Sequence, residues 1–266
     1  TWHEFSGGAS IVDIDKDGTA EVFLVTGNAT NSGQTAKQWV SRFDFDDGTL
    51  TQTYRKSFGK FGDSKWDGQK WAQPQFVDFD QDGTTEMFIG NHVMNPSTGD
   101  IIASPTIAQR LSWSRGKSGC DDDYMPAAYD ILPDDFCANC SGVEIIAGNT
   151  VYAVDLSDPT NDQNGITKAS ELDDLSLYKD GFTSLADWNN DGKMDIVVVA
   201  ADKINCNNPN SSGGPISNAY LYIWDPRTED ILANKTDIQS GNYSAGRATI
   251  ADFDGDGTNE LAIVSR

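Results

Sequence analysis

Asp252, Asp254 and Asp256 put a carboxylate at every second position of one short stretch, and Glu260 adds a fourth at the ninth. Gly257 stands at position 6, where the chain must bend sharply. Alternating carboxylates folded about one point make an oxygen cage for a hard cation. Calcium takes about six to eight oxygens in a flexible geometry. Carboxylates at positions 1, 3, 5 and 9, with the backbone carbonyl of Thr258 at position 7, provide most of them.

The same phrase occurs three more times in register. It is carried by Asp13, Asp15, Asp17, Thr19 and Glu21, then by Asp78, Asp80, Asp82, Thr84 and Glu86, then by Asp187, Asn189, Asp191, Lys193 and Asp195. Each copy keeps the glycine at position 6 and an apolar residue at position 2. One acidic loop is also compatible with a solvated turn that holds no metal. Four copies predict about four calcium sites.

An EF-hand opens with the same spacing but ends with a bidentate glutamate at position 12, on an exiting helix. Position 12 here is Leu24, Ile89, Val198 or Ile263. The runs that follow, such as Ile196-Val197-Val198-Val199, and those that precede, such as Thr183-Ser184-Leu185-Ala186, are short and aliphatic. They read as buried strands. Each loop is therefore expected to join two strands.

After the first loop, an alternating pair of segments around Asp46-Asp47-Gly48 reads as a hairpin, giving four strands in about 50 residues. Later units repeat this plan. In one of them Glu144 falls where position 9 belongs, but Pro133 to Cys140 stands in place of the acidic loop, and a disulfide is expected to stabilise it instead. The position-9 acids fall at 21, 86, 144, 195 and 260. A period of that size with four strands per unit predicts an all-β chain, a β-propeller of four-stranded antiparallel blades. The approximate blades are 9–58, 72–107, 126–172, 180–238 and an incomplete 245–266, all in one propeller region. Helix is nearly absent, with a turn or two expected from Ser170 to Tyr178.

The net charge of −22 over 266 residues argues against nucleic acid or an anionic membrane as partner. Much of that acidity is ligand supply, since three loops carry four acids each and the other carries three, of 41 in the chain. No run of apolar residues is long enough to span a bilayer. The chain opens at Thr1, as a processed or excised piece would. Free calcium and an even number of cysteines both suit an extracellular location. Cys120, Cys137, Cys140 and Cys206 allow three pairings, of which Cys120 with Cys137 and Cys140 with Cys206 is the expected one. A zinc site at Cys137 and Cys140 is the rival, without a second metal-binding pair nearby.

The phrase from Ile250 to Leu261 resembles the signature of the FG-GAP/VCBS family of calcium-binding propeller repeats, as do the hairpin segments Leu221-Tyr222-Ile223-Trp224-Asp225 and Val151-Tyr152-Ala153-Val154-Asp155. The resemblance covers nearly the whole chain. It implies a propeller with structural calcium, in a secreted or cell-surface protein. It leaves the ligand open, because the family includes adhesion modules, lectin-like propellers and some polysaccharide lyases. Rings of this family have about six to eight blades. The four and a half counted here imply a partial ring, completed by more of a longer chain or by another segment.

Function in such a scaffold belongs to the long insertions, here Gly59 to Trp71, Ile107 to Phe136 and Asn205 to Asn218. Trp66, Trp71 and Trp113 stand there among polar and basic residues, suited to stacking on a sugar ring or to pinning the insertions down. Trp188 and Trp224 read as core residues facing the next blade. His3 and His92 share no local motif with a nucleophile, and His92 reads as a surface or capping residue. The expectation is therefore a non-enzymatic binding or adhesion module for a protein or glycan. A calcium-dependent polysaccharide lyase is the alternative and a structural spacer the third reading. Five N-x-S/T triplets, at Asn28, Asn139, Asn210, Asn234 and Asn242, decide nothing.

Overall fold

The structure is a computed structural model, and it describes residues 3–29, 37–60, 73–89, 92–105, 126–158, 165–174, 177–178, 181–201, 219–239 and 247–264. Inner strands such as the β-branched Ile196-Val197-Val198-Val199 are continuous aliphatic runs, and no helix forms among the described residues. Among the described residues no helix is long and apolar enough to cross a membrane.

Four antiparallel sheets each take four strands in chain order. The first holds β1 (His3–Val12), β2 (Glu21–Ala29), β3 (Lys37–Asp46) and β4 (Thr49–Lys60). The second holds β5 (Gln75–Val77), β6 (Glu86–Ile89), β7 (His92–Met94) and β8 (Ile101–Ala103). The third holds β9 (Ala127–Tyr129), β10 (Glu144–Ala147), β11 (Thr150–Val154) and β12 (Ile166–Glu171). The fourth holds β13 (Phe182–Ala186), β14 (Asp195–Ala201), β15 (Ala219–Asp225) and β16 (Asp230–Gln239). A fifth sheet pairs β17 (Thr249–Ala251) with β18 (Glu260–Ala262). Every acidic loop joins the first two strands of its sheet, and the predicted hairpin turn lies at Asp47 and Gly48.

The chain divides into two compact units, Thr1–Arg110 with Val154–Thr167, and Leu111–Ala153 with Lys168–Arg266. In the first unit, Phe23, Val25 and Val40 of the first sheet bury their side chains against Met87, Ile89 and Met94 of the second. Phe23 meets Phe76 with ring centroids 4.8 Å apart.

In the second unit, the period of two along β14 puts Ile196 and Val198 on one face and Val197 and Val199 on the other. The first pair packs on Ile146 and Val151 of the third sheet. The second pair packs with Ile250 and Leu261 of the fifth. The fourth sheet therefore buries both faces, which explains why β14 reads as a continuous aliphatic run. Burial of such side chains stabilises by roughly 1.5–3 kcal/mol each before entropy is counted.

One inter-sheet link appears in both units at the same sequence separation. Ser10 Oγ donates to the carbonyl of Pro74, and Ser184 Oγ donates to the carbonyl of Ala248, each 64 residues on. Each serine stands three residues ahead of an acidic loop, and each carbonyl four residues ahead of the next. The two neighbouring pairs of sheets thus share a repeated local geometry.

Several expectations are corrected. Trp224 is fully buried, but it faces the preceding sheet, where its Nε1 donates to the carbonyl of Gly148 at 3.1 Å. Trp188 does pack toward the fifth sheet, and it does so from the loop, not from a strand. His92 opens β7 but is buried, because β7 is an inner strand paired with β6 on one side and β8 on the other. Ser170 belongs to β12, and the expected turn follows it, where the carbonyl of Asp174 accepts from Leu177 and Tyr178.

Candidate metal-binding loops

The four acidic loops follow one backbone path. Position 4 takes a left-handed conformation in each, at Lys16 (φ 61°), Gln81 (59°), Asn190 (60°) and Gly255 (81°). Position 6 does so too, with φ between 85° and 92° at Gly18, Gly83, Gly192 and Gly257. Side chains with a Cβ rarely adopt that region, which is why glycine holds position 6 throughout. Two such reversals within three residues curl the chain around its own acidic side chains.

Hydrogen bonds fix the curl. Oδ2 of Asp13, Asp78, Asp187 and Asp252 accepts the amide of the position-6 glycine at 2.8–2.9 Å. The position-5 aspartate accepts the position-7 amide through Oδ1 at 2.6–2.9 Å. Short acidic side chains favour such local bonds, which replace the sheet ladder between two strands.

Position 9 closes the loop from the second strand. Glu21, Glu86, Asp195 and Glu260 each accept the amide of the residue at position 2, namely Ile14, Phe79, Trp188 and Phe253. Glu86 and Glu260 also offer an oxygen to the carboxylate groups of their loops, whereas the second oxygens of Glu21 and Asp195 lie toward Arg42 and Arg227. Glu86 is buried, and that burial, opposed by its bond from Phe79 and reinforced by Asp80, Asp78 and Asp82, pushes its pKa up to about 7. Burial also raises the pKa of Asp195, against the pull of Trp188 and Arg227.

Three loops bring carboxylate oxygens within 4.8 Å of one another. The groups are Asp252, Asp254, Asp256 and Glu260; Asp13, Asp15 and Asp17; and Asp78, Asp80 and Glu86. Among the described residues, Asp187, Asp191 and Asp195 form no such group. The donor set is all oxygen and strongly acidic, the chemistry that suits a hard divalent cation. A separate feature fits the same group. Oδ1 of Asp78 is buried without a hydrogen-bond partner, and a buried unpaired carboxylate oxygen is costly unless a ligand meets it. Position 7 is Thr19, Thr84, Lys193 or Thr258, and what the structure shows there is the backbone amide held by the position-5 aspartate.

Two arginines escaped the sequence reading. Arg42 lies 2.6 Å from Asp44 and 3.9 Å from Glu21. Arg227 lies 2.8 Å from Asp225 and 3.1 Å from Asp195. In each case the arginine and its nearer acid are two residues apart on the third strand of the sheet or just beyond it, a spacing that could have flagged them.

The third sheet keeps the position-9 carboxylate without the acidic loop. Glu144 is buried and accepts from Ile131 at 2.9 Å and Leu132 at 3.2 Å. Its burial, opposed by those two bonds and reinforced by Asp130, raises its pKa to about 7. The longer connection holds the disulfide, and here the expected pairing is wrong. Cys137 is bonded to Cys140, within a turn where the Cα atoms stand 5.1 Å apart. Each sulfur forms one such bond, so neither joins Cys120 or Cys206, and the thiolates that zinc requires are consumed. Cys120 and Cys206 lie outside the described residues, as do Trp66, Trp71 and Trp113 and most of the three insertions.

No protein-family model and no curated protein matches this chain. Among solved structures it is similar to the rhamnogalacturonan lyase YesW, with 15% identity and a TM-score of 0.48 over 99% of this chain and 56% of that one. It is also similar to the rhamnogalacturonan lyase PL11 of Bacillus licheniformis, with 16% identity and a TM-score of 0.46 over 99% and 56%. A third similarity is to the V. cholerae biofilm matrix protein Bap1, with 10% identity and a TM-score of 0.44 over 94% and 44%. The chain spans about half the length of the structures it matches.

Proposed function

We propose that the chain is a calcium-stabilised propeller region of the FG-GAP/VCBS type, which serves outside the cell as a binding or adhesion module for a protein or glycan. The observation that carries the calcium reading is the convergence of carboxylate oxygens in three loops on one repeated backbone path, with Oδ1 of Asp78 buried and unpartnered in one of them. Two carboxylates about 4 Å apart repel by about 4 kcal/mol at an effective dielectric of 20, less where water reaches them. A divalent cation reverses the sign of that interaction. The serine-to-carbonyl link repeated at 64 residues supports a regular step from sheet to sheet, as a propeller requires.

A scaffolding role for the ion follows from how the carboxylates are used. Positions 1, 5 and 9 already hold backbone amides of their own loop, so a cation there ties the ends of two strands together. Ligand contact then falls to the insertions, with Trp66, Trp71 and Trp113 as candidates for stacking on a sugar.

Calcium titration with thermal melting tests the first part. The melting temperature is expected to rise by several degrees with calcium and fall in chelator, and an unchanged melt counts against the reading. Glycan-array and cell-binding signal without turnover is expected for the second part. Release of unsaturated products from a polysaccharide would replace it with the lyase reading.

A further inference from the structure

The loop from Asp187 to Asp195 differs from its three sisters in charge and in what faces it. Position 3 is Asn189 and position 7 is Lys193, so its carboxylates number three and a lysine lies among them. Asn189 Nδ2 donates to Oδ2 of Asp191 at 3.3 Å, which turns a would-be ligand into an internal donor.

A guanidinium then completes the loop. Arg227 stands two residues beyond the end of β15, and its side chain is 9% exposed. Nε lies 2.8 Å from Asp225, Nη1 donates to the carbonyl of Met194 at 3.0 Å, and Nη2 donates to Oδ1 of Asp195 at 3.1 Å. The same Nη2 lies 3.9 Å from Oδ2 of Asp191. The oxygen of Asp195 that Nη2 meets is Oδ1, whereas Oδ2 accepts the amide of Trp188. A planar, permanently charged fork held at three points is suited to such a fixed role.

We infer that Arg227 serves as the resident cation of the 187–195 loop, so that this loop folds without a metal ion while the other three take one each. The inference rests on the calcium reading for its stoichiometry, and on geometry alone for the arginine. Arg42 does not do the same at Glu21. Its Nη2 stops 3.9 Å away, and Asp13, Asp15 and Asp17 still converge.

The test is calcium stoichiometry by equilibrium dialysis on the 266-residue chain. Three ions per chain are expected, with two after Asp252→Asn and still three after Asp187→Asn. Arg227→Gln is expected to bind a fourth. Loss of one ion on Asp187→Asn overturns the inference, and that comparison decides alone if Arg227→Gln fails to fold. A chain that binds no calcium refutes the calcium reading. The arginine is then judged by melting in excess chelator, where Arg227→Gln is expected to lose several degrees and an unchanged melt overturns its role.

Discussion

Oε2 of Glu144 accepts the amide of Ile131 at 2.9 Å, closing across 13 residues the same bond that Glu21, Glu86, Asp195 and Glu260 close across seven. A carboxylate at the start of the second strand is thus common to all five sheets, whether or not an acidic loop precedes it, and it is buried in the first four. Its first task is to cap the amide of the incoming strand. In the other four sheets the preceding loop adds aspartates to that carboxylate.

Glu144 ties stability to pH. Its pKa of about 7 in the folded chain exceeds the ordinary glutamate value, so between about pH 4.5 and pH 7 the folded state holds a proton that the unfolded state has lost. Stability therefore falls as pH rises through that window. Glu144→Gln retains an acceptor for Ile131 and removes the titration. From pH 4 to pH 8 the difference between variant and parent is expected to move in the variant's favour by up to about 3 kcal/mol. Urea denaturation at both pH values measures it, and a constant difference refutes it.

Glu86→Gln is expected to act with opposite signs with and without calcium. Glu86 is crowded by Asp78, Asp80 and Asp82, so in chelator the loss of one charge raises the melting temperature. With calcium present the same change removes a ligand and lowers it. Melting curves under the two conditions that shift the same way would refute the role assigned to this loop.

The Cys137–Cys140 bridge closes a very short loop. Chain entropy gives such a closure only about 2 kcal/mol. Replacing both cysteines with serine is expected to lower stability by about that amount while the fold persists, as circular dichroism and urea denaturation would report.

Trp224→Phe removes the hydrogen bond to Gly148 and shrinks a fully buried side chain between the third and fourth sheets. A cost of about 1–3 kcal/mol is expected, from the lost bond and the residual cavity. A variant as stable as the parent would show that this packing contributes little.

Local chemistry was legible because it depends on neighbours in sequence. The spacing of Asp78, Asp80 and Asp82 about a glycine, followed by an aliphatic run, determines a curled loop between two strands, since αL residues and short acidic side chains act within a few residues. The hairpin turn at Asp47 and Gly48 and the all-β composition were readable for the same reason. The aliphatic run Ile196-Val197-Val198-Val199 likewise read as a buried strand.

Contacts between distant residues were decided only by the tertiary structure. Nothing local tells Cys137 whether to bond Cys140 or a cysteine farther away, because the choice depends on where the backbone brings the sulfurs. Nothing local places Arg227 against Asp195, or turns Trp224 toward the preceding sheet instead of the next one. The amino-acid sequence determined where carboxylates gather along the chain. The packing of strand on strand and sheet on sheet decided which positive charge meets them, and which carbonyl Trp224 meets, because those approaches join residues tens of positions apart.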